Sequence, residues 1–189
     1  MLGGEKHEKR PKLVTAAYLE RAALHYLGRF NSTHANLKAV LERKVRRRNE
    51  GSMAPSTEQL GWICEVADKC VKYGYVNDEQ YARQRFESLL RKGKPLRTIA
   101  QDLRYKGVPG EIAEAVMAQA QQDPEKDLDL VAAAAYARRR RFGPFRRADR
   151  LNDEKIEKEK ASMMRAGFPY ALVTRIMEAS EDELLSLLP

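Results

Sequence analysis

LRYKGVPGEIAEAVM, residues 103–117, and MMRAGFPYALVTRIM, residues 163–177, are two versions of one pattern at a constant offset of 60. Gly107 aligns with Gly167, Pro109 with Pro169 and Met117 with Met177. Apolar residues recur in register as well: Leu103 with Met163, Ile112 with Leu172, Val116 with Ile176. Each copy reads as a helix stopped by glycine just past its end, a tight turn, and a second helix opened by proline. A fainter third copy lies upstream, where HANLKAVLERK (34–44) matches LRTIAQDLRYK (96–106) at an offset of 62. There Val45 stands in place of the glycine, and a polar insertion, 46–56, delays the next helix to about Thr57.

Outside these copies the helical period persists. Ala82, Phe86, Leu89 and Leu90 share one face, and Ile99 and Leu103 another. Neither sustained β-branched alternation nor an Asn-Gly or Asp-Gly turn argues for strands. Ser56 and Asn77 each stand three positions before a glutamine, as a capping box requires, and Ser180 before Glu183 repeats the spacing ahead of a final turn through Leu188. The fold class expected is all-α: three tandem three-helix repeats at 15–76, 77–123 and 124–189, after a flexible basic tail, 1–14. Units this small bury little core alone, so stacking them into an elongated, curved array is the favoured arrangement. A compact bundle that merely records the duplication remains the alternative.

The chain has 189 residues with a net charge of +8 and 33% charged residues. That charge is uneven, with 12 Lys and Arg against 5 Asp and Glu in residues 1–50 and near balance afterwards. A basic first quarter favours polyanions or acidic protein surfaces as neighbours, although a solubilising surface has the same composition. Cys64 and Cys70, six apart, fall on different faces of a helix, which suits neither a disulfide nor a metal pair. Two reduced thiols, a polar N-terminus and no long apolar run point to a soluble, cytoplasmic protein.

Catalytic signatures do not emerge. His7, His25 and His34 have no carboxylate at ligand spacing, and phosphate loops, dinucleotide fingerprints and nucleophile elbows are missing from the sequence. The expectation is no active site, no metal and no cofactor. Basic runs carry the remaining interest. Arg46, Arg47 and Arg48 lead into the insertion, and Arg138 to Arg141 resemble a helix end able to reach a polyanion or acidic partner. Phe142 and Phe145 beside the second run either stack on bases or are buried where the chain turns at Gly143-Pro144. Arg91, Lys92, Lys94 and Arg97 surround Gly93-Pro95, a turn that gathers cations on one loop, with Arg104 and Lys106 on the following helix. A soluble linker has the same composition as that loop.

The stretch Gly74-Tyr75-Val76-Asn77-Asp78-Glu79-Gln80-Tyr81-Ala82, followed by Arg91-Lys92-Gly93-Lys94-Pro95, Ile99, Leu103, Lys106-Gly107-Val108 and Ile112, resembles the central motif of RecX proteins. Ala22 to Leu27 resembles the first repeat of that family, and Arg165 to Phe168 with Ile176 the third, so the likeness spans roughly 15–180. Val45 and the segment 46–56 depart from the family pattern. The resemblance implies a regulator, without an active site, that binds along the groove of the RecA–single-stranded DNA filament. Such a protein modulates, and commonly inhibits, strand exchange, ATP hydrolysis and co-protease activity in DNA repair and recombination. It implies a monomer with RecA filament as partner, only weak nonspecific contact with DNA, and no membrane. The candidate contacts are Arg91, Lys92, Lys94, Arg97, Arg104 and Lys106, with Arg46, Arg47 and Arg48 beside them. A direct DNA-binding protein built from helix-turn-helix-like units is the competing class, but no one helix carries a clear base-reading set.

Overall fold

A computed structural model describes residues 13–49, 53–123, 126–147 and 153–188. Most of the N-terminal tail and part of the 46–56 insertion therefore lie outside the described residues. The described residues are all-helical, as the spacing predicts, and fall into two compact units divided at Asp78.

The first unit holds α1 (Ala16–Leu27), α2 (His34–Arg48) and α3 (Thr57–Lys72), with α3 packed on both α1 and α2. Their apolar stripes meet in one core of Leu19, Ala23, Leu37, Leu41, Ile63 and Ala67. Val14, inside the expected tail, belongs to it too. Thr15, Thr33 and Ser56 each accept a hydrogen bond from the third backbone N–H beyond them. These caps satisfy helix-end donors that have no intrahelical partner. At Ser56 the box is complete, with Gln59 reaching back to the cap backbone. Val45, in the glycine's place, is fully buried, and without a stop signal α2 runs on through Arg46, Arg47 and Arg48.

The second unit takes α4 (Asp78–Arg91) from its second residue onward, then α5 (Leu96–Tyr105), α6 (Gly110–Ala120) and α7 (Leu128–Arg140). A 3₁₀ turn, Gly143–Phe145, precedes α8 (Asp153–Ala166), α9 (Tyr170–Glu178) and α10 (Glu181–Ser186). One core cluster joins α4, α5 and α6 through Ala82, Phe86, Ile99, Leu103 and Val116; another joins α7 to α8, α9 and α10 through Tyr136, Met163, Val173, Ile176 and Leu184. Leu90 packs against both. Leu184, Leu187 and Leu188 thus dock within the unit. From Leu130 to Ala137 every residue of α7 is buried, so this alanine-rich helix is enclosed on all sides.

The echo in sequence is an echo in hydrogen bonding. Gly107 N–H donates to the Arg104 carbonyl and Val108 N–H to that of Leu103; Gly167 and Phe168 repeat both bonds onto Met164 and Met163. This pair of bonds is the Schellman arrangement, in which a residue of positive φ ends the helix. Gly74 and Gly93 close α3 and α4 in the same way. Pro95, Pro109 and Pro169 occupy the cap position, one residue before the helical turn in which the sequence places them.

Candidate functional site

The turn between α4 and α5 is built around Gly93. Its φ is +67°, and a Cβ there would lie 2.3 Å from the Tyr136 backbone nitrogen on α7. The missing side chain lets the loop press on α7. Asp129 of α7 completes the joint by accepting a hydrogen bond from Leu96 N–H at 3.1 Å, which caps α5 from another helix. The cations of the turn are thus carried on a fixed backbone.

Those cations do not share one environment. Arg91, Lys92, Arg97 and Arg104 are exposed, whereas Lys94 and Lys106 are half-buried. The charges of Lys94 and Lys106 also act on Asp102. Arg85 of α4 grips its carboxylate with both nitrogens, at 2.7 and 2.9 Å. The Asp102 carboxyl is held below the ordinary carboxylate value, first by the Arg85 hydrogen bonds and then by the charges of Arg85, Lys106 and Lys94. Lys94 and Lys106 therefore spend part of their field on an internal acid. Lys106 also sits 5.6 Å over the ring of exposed Tyr105. The turn and α5 together offer four open cations and two partly compensated ones.

Arg46, Arg47 and Arg48 are separate, forming the last turn of α2 in the first unit. Their charges oppose the negative end of the helix dipole. Arg47 Nε donates to the Arg43 carbonyl at 3.3 Å, and Arg48 lies 3.9 Å over the Tyr18 ring. Arg48 is therefore committed to packing, while Arg46 and Arg47 are exposed.

Arg138, Arg139 and Arg141, at the end of α7, gather with Arg91 and Lys126 around one hollow. The partnership of Arg91 with residues more than forty positions away depends on the Gly93–Tyr136 contact. The run of arginines was the available sequence signal, but not what it would meet. Phe142 and Phe145 are half-buried against the second core cluster, which is the structural of the two roles open to them. Arg146 and the Gly143 N–H both bind Glu159, with Arg146 Nε at 2.9 Å, and this fastens the 3₁₀ turn to α8. Cys64 and Cys70 are free thiols, and burial pushes that of Cys70 up. His34 is hydrogen-bonded to Asp68 at 2.8 Å, a surface pair in the helical frame.

A family model described as the second three-helix domain of RecX matches residues 77–117. Regulatory protein RecX of Myxococcus xanthus (strain DK1622) is 37% identical over 177 residues, covering 93% of this chain and 92% of that protein. The protein of the same name from Agrobacterium fabrum (strain C58 / ATCC 33970) is 29% identical over 185 residues, covering 98% and 95%. In structure, the chain resembles a crystal structure of RecX from Lactobacillus salivarius with a TM-score of 0.57 at 20% identity, covering 90% of this chain and 97% of that one. That likeness is one of fold. Among the described residues, no helix is long and apolar enough to cross a membrane.

Proposed function

This chain belongs to the RecX family, whose relatives are named regulatory proteins, and on that footing we propose that it regulates RecA by binding the RecA–single-stranded DNA filament. The effect proposed is inhibition of ATP hydrolysis, strand exchange and co-protease activity, exerted by occupying the filament and without catalysis by the chain itself. The protein acts as a cytoplasmic monomer with three repeats, 15–76, 77–123 and 124–189. The observation that carries the reading is the full-length match to a regulatory relative, 37% identical over 93% of the chain. The exposed cations of the α4–α5 turn support it, because many modest contacts on a fixed frame add up to useful affinity along a repeating partner.

Arg91, Lys92, Arg97 and Arg104 are the contacts proposed for acidic filament surface or DNA phosphate, with Lys94 and Lys106 in a lesser part. Arg46 and Arg47 add a second cluster, and Arg48 supports it from its seat on Tyr18. The test is RecA ATPase on single-stranded DNA, titrated with the wild-type chain and with a variant in which Arg91, Lys94 and Arg97 are all alanine. The wild type should lower the rate with increasing dose, and the variant should stay folded but lose that effect. Full inhibition by the variant removes the turn from the interface, and no effect of the wild type removes the function.

A further inference from the structure

Apart from Arg91, the hollow bounded by the α7 arginines has a lining that the regulatory reading does not use. Its volume is about 560 Å³. Arg91, Lys126, Arg138, Arg139 and Arg141 line its walls. Leu90, Val131, Ala135 and Leu188 add an aliphatic surface between them. None of those cations is paired with a carboxylate among the described residues, whereas Arg85 and Arg146 of the same unit are tied to Asp102 and Glu159.

Arg141 is the decisive residue. Arg141 N–H donates to the Arg138 carbonyl and Phe142 N–H to that of Ala137, the same two bonds that close α3, α4, α5 and α8. In those four turns the residue of positive φ is glycine; here it is arginine, at +59°. It is the one non-glycine with positive φ among the described residues. A Cβ disfavours this conformation, so the turn itself would be better served by glycine. Cations in the last turn of a helix answer its dipole, but Arg138, Arg139 and Arg140 already do that. Strain retained at a cavity wall is a mark of use.

We propose that this hollow docks an acidic peptide segment carrying an apolar anchor, with Arg141 clamping a carboxylate while the anchor rests on the aliphatic floor. Guanidinium groups meet carboxylates in bidentate geometry, and apolar sites rimmed by a few oriented polar groups are the usual form of a specific pocket. Nucleic acid fits less well. Among the described residues no aromatic ring lines the hollow to stack on a base, and an aliphatic floor has no use for phosphate. The site stands whether or not the partner is RecA.

The probe is a short fluorescein-labelled peptide, a Leu-Phe pair flanked on both sides by Glu, followed by anisotropy with the full chain. Binding should weaken with salt, and replacing the Leu-Phe pair by Ser should weaken it too. Arg141→Gly should lower affinity about tenfold or more, the loss expected for a charge-assisted hydrogen bond. The same variant should melt at an unchanged or higher temperature, because glycine suits the backbone. A merely structural role for Arg141 would give the reverse pattern. Wild-type affinity in Arg141→Gly, no binding of the peptide by the wild type, or tighter binding of an oligothymidylate of equal charge each overturns the proposal.

Discussion

Gly93→Ala should be among the most damaging single-methyl changes in the second unit. The added Cβ would lie 2.3 Å from the Tyr136 nitrogen and 2.5 Å from its Cα. Both atoms are backbone, and the helix carrying them is enclosed on all sides, so relief requires α7 or the whole α4–α5 turn to shift. Overpacking of a filled site typically costs about 1–3 kcal/mol. The left-handed backbone, at φ +67°, adds about 1–2 kcal/mol for any residue with a Cβ. Together these come to about 2–5 kcal/mol, a large part of a domain's total stability of roughly 5–15 kcal/mol. Gly74→Ala is the control. Its φ is +74°, so it bears the same conformational cost, but among the described residues nothing lies within 4 Å of its added Cβ. Urea unfolding followed by circular dichroism measures both variants against the wild type. The clash should set Gly93→Ala apart by about 2 kcal/mol, or about 4–8 °C in melting temperature. Equal losses in the two variants would refute the close approach of the turn to α7.

Two further outcomes follow from the same structure. Asp102→Asn should cost about 1–2 kcal/mol at neutral pH by removing the negative charge and one of the two acceptors that Arg85 holds, in a half-buried pair. Because the Asp102 carboxyl titrates below its unfolded value of about 3.9, its contribution is present above that pH and is lost as pH falls through the lower folded value. Acid titration of unfolding free energy should therefore have a shallower slope below about pH 4 in the variant than in the wild type. Val45→Gly removes a fully buried side chain and places glycine inside α2, for a combined loss of about 2–4 kcal/mol. Loss of helical signal from the last turn of α2 should accompany it, and an unchanged spectrum and stability would show that Val45 does not hold that turn.

Much of this molecule is legible in the chain because local chemistry sets it. Gly107 and Gly167 stop helices through bonds made within six residues, and Ser56 with Gln59 closes a cap within four. Patterns so short can be read without knowing the fold. The buried faces of Ala82, Phe86, Ile99 and Leu103 follow equally from the helical period. What escaped depends on distant partners. Gly93 reads as a turn residue, yet its tightest constraint comes from Tyr136. Lys94 and Lys106 look like equals of Arg91 until Asp102 and Arg85 are placed beside them. Arg48 looks like one basic residue in a run, and only packing sets it on Tyr18. Arg141 gives no local sign that it occupies a glycine's place, because the α7 run reads as charge.

Co-sedimentation with preassembled RecA filaments on single-stranded DNA, at physiological salt, tests the regulatory account most directly. The account predicts that the chain pellets with the filament and stays in solution with the same DNA lacking RecA. Equal recovery on naked DNA, or none on the filament, would contradict it.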